Sequence, residues 1–362
     1  MQIDIKTTAV EQVRQTFSHV ARRLGADKAA SRYQEATLEL QPEINFHYRP
    51  LWEPERELYD KRRTALQMND WYAFKDPRQY YYGTYTITRA RQQDAMEKSI
   101  EFVSKRALLS SLDDASKDRI ASLFVPLRHV EWGANTNNCY VTAYGWGTAI
   151  TQATMFHSMD RLGIAQYQSR IGLLLDGNAG TSLTEGKQRW LTAPMWQPLR
   201  ETVENLMVVR DWFETYVAQN LVLDGLLYPL FYTHIDGALG KQYGPGLSML
   251  NEFAATWFDE TSRWVDATIK TAAAESPANA ALIGTWIEKW RAQVNAALSP
   301  IAAEAFGAES SAALAALDST RAVFEARIAK LGVVLPQTST AQASATTGAS
   351  DASTAQAEVS HG

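Results

Sequence analysis

Cysteine is almost missing from this sequence: Cys139 is the only one in 362 residues. That excludes an internal disulfide framework and all-cysteine metal sites, and it points to a reducing compartment, the cytoplasm. An excess of positive charge is missing too. Lys and Arg number 35 against 40 Asp and Glu, a net charge of −5. Phosphate backbones are held by clustered cations, so no nucleic-acid partner is expected. No run of about 18 uncharged apolar residues occurs, so no membrane span is expected. Residues 1–23 carry no apolar core of the kind a secretory signal needs. There is no Gly-x-Ser-x-Gly elbow, and Gly145-Trp146-Gly147 lacks the third glycine and strand–helix context of a dinucleotide loop.

Metal chemistry is tested by the histidines. A di-iron carboxylate bundle takes Glu from each of two helices and Glu-x-x-His from each of two others, because residues three apart share a helix face. The six histidines are His19, His47, His129, His157, His234 and His361. Three positions earlier stand Thr16, Ile44, Pro126, Thr154, Phe231 and Glu358. Only Glu358–His361 fits, ending one residue before the last and with no partner helix. No metal, cofactor or catalytic residue is therefore assigned to this chain, and an independent di-iron enzyme is disfavoured. Cys139 has no flanking base and reads as an inert buried thiol.

Aromatics are plentiful: 11 Trp, 15 Tyr and 12 Phe. Helical periodicity runs from Thr88 to Leu331. Met96, Ile100, Val103 and Ala107 mark one helix, and Ile120, Leu123, Phe124 and Leu127 mark another that Pro126 kinks. Ile150–Leu175 reads as a helix ending near Asp176-Gly177. Met195–Leu227 reads as one long apolar helix, interrupted by Pro229. Gly246–Ala274 has two apolar rows, as in the middle of a bundle. Ser276-Pro277 and Ser299-Pro300 each read as a helix start. Thr84–Thr88 is the only plausible strand. The expected fold is all-α, a large helical bundle over 88–333.

Two segments lie outside that bundle. Residues 1–87 read as an extended N-terminal arm. In it Pro42, Pro50, Pro54 and Pro77 break helices, and seven aromatics fall between Trp71 and Tyr85. An arm of this kind either wraps a neighbouring subunit, with Trp52, Trp71 and Tyr81 as anchors, or covers the chain's own bundle. Residues 334–362 read as a low-complexity, disordered tail. Within the bundle, Arg128, Glu131, Asn135, Asn138 and Thr142 form a polar stripe, read as an internal hydrogen-bond network or subunit contact. Arg210 with Glu214, and His157 with Asp160, have the spacing of intrahelical pairs.

Longer blocks carry a resemblance. They are Asn45-Phe46-His47-Tyr48-Arg49-Pro50-Leu51-Trp52, Asp76-Pro77-Arg78-Gln79-Tyr80-Tyr81-Tyr82-Gly83, and Val125-Pro126-Leu127-Arg128-His129. Arg170-Ile171-Gly172-Leu173-Leu174-Leu175-Asp176-Gly177 and Gln219-Asn220-Leu221-Val222-Leu223-Asp224-Gly225-Leu226-Leu227 complete the set. Over about residues 1–333 the chain resembles the β subunit of bacterial multicomponent di-iron monooxygenase hydroxylases, nearest the phenol hydroxylase branch. The resemblance implies a ferritin-like bundle without iron, in an (αβγ)₂ hydroxylase whose catalytic α subunit holds the di-iron centre beside a small γ subunit. It also implies a reductase with flavin and an iron–sulfur cluster, fed by NADPH, and an effector protein. The implied reaction turns phenol and similar aromatics into catechols with O₂. In Glu131-Trp132-Gly133-Ala134, Ala134 stands where a ligand histidine of the α subunit would be needed. A β subunit of a toluene or alkene monooxygenase, or a stand-alone helical scaffold, are the alternative readings.

Overall fold

The computed structural model describes residues 17–26, 28–44, 47–307 and 310–336. Asn45, Phe46, Glu358 and His361 fall outside them, as does the tail from 337 onward. Among the described residues there is no strand. Two short helices come first, α1 (Ser18–Leu24) and α2 (Arg32–Thr37), followed by chain that is irregular except for a 3₁₀ turn at Lys61–Arg63 as far as α3 (Tyr82–Lys105). α4 (Asp114–Phe124) and α5 (Leu127–Tyr144) are separated at Pro126. α6 (Thr148–Leu175) returns antiparallel to α5, and α7 (Thr181–Thr192) and α8 (Gln197–Met207) follow.

A continuous helical path then runs over 212–243. It comprises α9 (Trp212–Tyr216), a π-helical turn at Val217–Leu223, α10 (Asp224–Pro229), a second π-helical turn at Leu230–Ile235, and α11 (Asp236–Tyr243). α12 (Gly246–Glu275), α13 (Pro277–Phe306) and α14 (Ser311–Ile328) complete the bundle. No helix is long and apolar enough to cross a membrane among the described residues.

The prolines act differently from expectation. Pro229 does not interrupt the chain. It lies inside the helical path next to a π-helical turn, where a shifted hydrogen-bond pattern tolerates its missing N–H. Pro300 does not start a helix either: α13 runs through it, and Ser299 Oγ donates to the Asn295 carbonyl instead of capping. Ser276-Pro277 does open a helix, with Ser276 Oγ accepting from the Asn279 N–H at 3.1 Å. The break expected at Pro229 comes earlier, at Val208–Asp211, where Asp211 caps α9. Thr84–Thr88 is helical, within α3.

Nine tryptophans are buried; only Trp52 and Trp132 are exposed. The core runs through α5, α6, the 212–243 path, α12 and α13, with Trp196, Trp212, Trp257, Trp264 and Trp290 almost wholly enclosed. Close approach of α5 to α8 depends on Gly133, whose place a Cβ would take 2.5 Å from Val203 Cγ1. Gly147 turns α5 into α6 at φ +89°, with the Trp71 carbonyl 3.3 Å from where its Cβ would be.

The expected limits of the bundle move at both ends. α3 starts at Tyr82. At the other end Val334 donates from its N–H to the Ala280 carbonyl at 3.1 Å, and Leu335 packs on the core. Residues 334–336 therefore belong to the body.

Candidate functional site

Two features stand apart from ordinary core: ionic groups on the bundle axis, and apolar side chains left on the outside.

The axis is built from the polar stripe of α5. Glu131 is fully buried, and its Oε2 lies 2.6 Å from Nε of Arg161 on α6. Arg161 also donates to both carboxylate oxygens of Asp224 on α10, at 3.0 and 3.1 Å. The Tyr228 hydroxyl donates to Glu131 Oε1 at 2.9 Å, and Gln219 Nε2 donates to Asp224 at 3.0 Å. Asn137 holds Gln219, and the amides of Asn138 and Asn220 exchange hydrogen bonds. Asn135 reaches the Ser158 carbonyl, Thr142 meets Thr154, and Arg128 donates to the Leu183 carbonyl. The stripe is thus the internal network that its spacing suggested. Burial pushes the Glu131 carboxyl up to about 7 against the opposing pull of Arg161, and it raises Asp224 as well.

A second ionic knot pins α3 and the chain just before it to the bundle. Arg89 grips Asp160 of α6 bidentately at 2.8 and 2.7 Å and reaches Glu260 of α12 at 3.0 Å. Asp160 also accepts from Tyr85 and from Trp257 Nε1. Arg78 pairs with Asp76 at 2.9 Å and stacks over Tyr80 and Trp264.

The expected intrahelical pairs do not form. Asp160 turns to Arg89, while His157 lies between Trp257 and Trp264 with neither ring nitrogen hydrogen-bonded. Burial holds that imidazole neutral. Glu214 accepts from Lys289 and Trp290 instead of Arg210, because α9 begins only at Trp212 and leaves Arg210 outside the helix.

The three anchor candidates separate. Trp71 is 5 % exposed and packs on Trp212 and Phe74, with ring centroids at 5.7 and 6.2 Å. It belongs to this chain's own core and offers a partner nothing. Tyr81 precedes α3, half-buried, with its ring folded over Gly83. Trp52 is 64 % exposed, in a stretch where Ile44, Tyr48 and Leu51 are exposed as well. A second apolar face lies on α5 and α6. Met155, Met159 and Leu162 form a stripe at helical spacing on the outside of α6, and Trp132 stands beside Glu131 on α5. Cys139 is on the exposed side of α5, not buried as expected. Sequence reasoning passed over the α6 stripe because Met and Leu in a bundle read as core.

The donor chemistry does not fit an iron pair. Among the described residues no three His, Cys, Asp or Glu side chains gather as metal ligands. Glu131 and Asp224, the carboxylates that converge on the axis, are both taken by Arg161.

Residues 52–276 match the family model for methane/phenol/alkene hydroxylases. The chain is 48 % identical to the phenol 2-monooxygenase oxygenase component DmpL of Pseudomonas sp. strain CF600, over 92 % of this chain and 98 % of that one. It is 27 % identical to the hydroxylase component subunit beta of the toluene-4-monooxygenase system of Ectopseudomonas mendocina, over 76 % of this chain and 86 % of that one. A chain of the xenon-pressurized phenol hydroxylase crystal structure from Pseudomonas sp. OX1 superposes with a TM-score of 0.85 at 44 % identity. That match covers 91 % of this chain and 98 % of the other.

Proposed function

Because this chain belongs to the methane/phenol/alkene hydroxylase family, we propose that it is the non-catalytic β subunit of a phenol-type hydroxylase. Its task is mechanical: it buries a face of a catalytic α subunit and, with a small γ subunit, builds an (αβγ)₂ assembly. The di-iron centre belongs to α. Electrons come from NADPH through a reductase carrying flavin and an iron–sulfur cluster, and an effector protein gates the reaction. The system takes phenol, O₂, NADPH and one proton to catechol, water and NADP⁺. One oxygen atom enters the ring and the other is reduced to water. Rigid backing serves such chemistry, since reacting groups are only as well placed as the shell behind them.

The observation that carries this reading is the bundle axis, where Arg161 occupies the space between Glu131 and Asp224 and no donor set for iron gathers among the described residues. The exposed Trp52, Leu51, Trp132, Met155 and Met159 supply apolar surface of the kind obligate interfaces bury. The test is the set of polypeptides that co-purify with the tagged full-length chain from its host. Two further chains are expected, the larger carrying two Glu-x-x-His helices. Phenol turnover by this chain with reductase and effector but without such a partner would overturn the proposal.

A further inference from the structure

In a metal-binding four-helix bundle, a metal pair gathers the inward carboxylates of facing helices. Here the same convergence exists with a different cation. Glu131 enters from α5 and Asp224 from α10, and the wholly buried guanidinium of Arg161 lies between them. The rings of Tyr228 and Trp257 pack against it, with centroids 5.3 and 5.2 Å from its central carbon. Ala134, three residues beyond Glu131 and fully buried, presents only a methyl group. The π-helical turn at Val217–Leu223 ends directly before Asp224. Within it stand Gln219 and Asn220, which close the polar shell.

We infer that Arg161 is the fixed cation of this bundle: its guanidinium does the tying that metal ions do in metal-binding relatives of the fold. It thereby holds α5, α6 and α10 in register. An arginine cannot be deprotonated, chelated or oxidised under ordinary conditions. The arrangement of helices is thereby independent of metal supply. The tie also lies under the outer apolar face, since Glu131 and Trp132, and Arg161 and Leu162, are sequence neighbours pointing inward and outward. This inference concerns the isolated chain and does not depend on which partner the chain holds.

The experiment compares thermal melts of the full-length chain. Arg161→Gln leaves two buried carboxylates without their cation, and the melting temperature should fall by roughly 5–10 °C. Glu131→Gln, Arg161→Gln and Asp224→Asn together remove all three charges and keep hydrogen-bonding groups, and should recover most of that loss. The deficit of Arg161→Gln should also shrink as pH falls from 8 to 5, because protonation relieves the stranded carboxylates. The other titratable or charged groups facing them are Tyr228, Tyr232, His157 on α6 and Arg327 from α14. The tyrosines stay protonated, the arginine stays charged, and burial opposes protonation of His157, so the trend belongs to the carboxylates. Wild-type melting by Arg161→Gln would overturn the inference. So would a triple variant as damaged as the single one, unfolded or not, since shape and not charge would then decide.

Discussion

Residues 47–52 and residues 65–85 look alike in sequence, yet they fold oppositely. Both are interrupted by proline and rich in aromatics. The later stretch is drawn into the body: Leu66, Trp71, Phe74, Tyr80 and Tyr85 are buried. Its backbone polar groups are met one by one, Gln67 and Asn69 by Asn279 and Glu275 at the α12–α13 turn, and Ala65 by the Asp211 cap. Among the described residues the earlier stretch has local hydrogen bonds, with Arg49 donating to Glu57 and to the Pro54 carbonyl. Leu51 is 95 % exposed. Aromatic content alone therefore does not tell a segment drawn into the chain's own core from one left on its surface. The difference lies in whether polar groups elsewhere in the chain stand ready to hold the backbone.

The sharpest way to break this comparison is to truncate large apolar side chains in each stretch. Trp71→Ala should destabilise the isolated chain by about 3–5 kcal/mol, seen as a large fall in its melting temperature. Leu51→Ala with Trp52→Ala should leave that melt within about 0.5 kcal/mol. The same pair should weaken association with the co-expressed hydroxylase chains by about 2–4 kcal/mol, as truncation of anchors in a desolvated pocket does. Size-exclusion chromatography reads that loss. Equal melting losses in both stretches would erase the distinction.

The anchoring of the later stretch can be loosened without touching an aromatic. Asp160→Asn removes the bidentate grip on Arg89 and weakens acceptance from Tyr85 and Trp257. A loss of about 1.5–3 kcal/mol is expected, with earlier proteolysis near residues 76–82 as a second readout. A separate test concerns pH. His129 stacks on Trp190, and burial, helped by Arg128 and Lys187, pushes its imidazole down to about 4. The unfolded chain therefore binds a proton that the folded chain resists between pH about 6.5 and about 4. Stability should fall as pH drops through that window, and His129→Gln should flatten the slope in urea titrations.

Much of the helical body was legible because apolar residues recur at helical spacing and real caps sit at Ser276-Pro277 and Asp176-Gly177. Pro229 and Pro300 misled, since packing and π-helical turns outweigh the local penalty of a proline inside a helix. The polar stripe of α5 was readable, but its partner was not, because Arg161 lies on another helix and an arginine by itself reads as surface. One signal was available. Ile150, His157, Arg161, Ile164, Gln168, Ile171 and Leu175 share a row of α6, and the buried isoleucines around them place His157, Arg161 and Gln168 on the axis. The split of the arm had no such signal, since Asn279, Glu275 and Asp211 are more than a hundred residues away along the chain.

The account rests on iron lying outside this chain. The direct measurement is elemental analysis of the full-length chain, purified alone after expression with excess ferrous iron and freed of loosely bound metal. Far less than one iron per chain is predicted, because Arg161 holds the carboxylates an iron would need. A value near two irons per chain would contradict it.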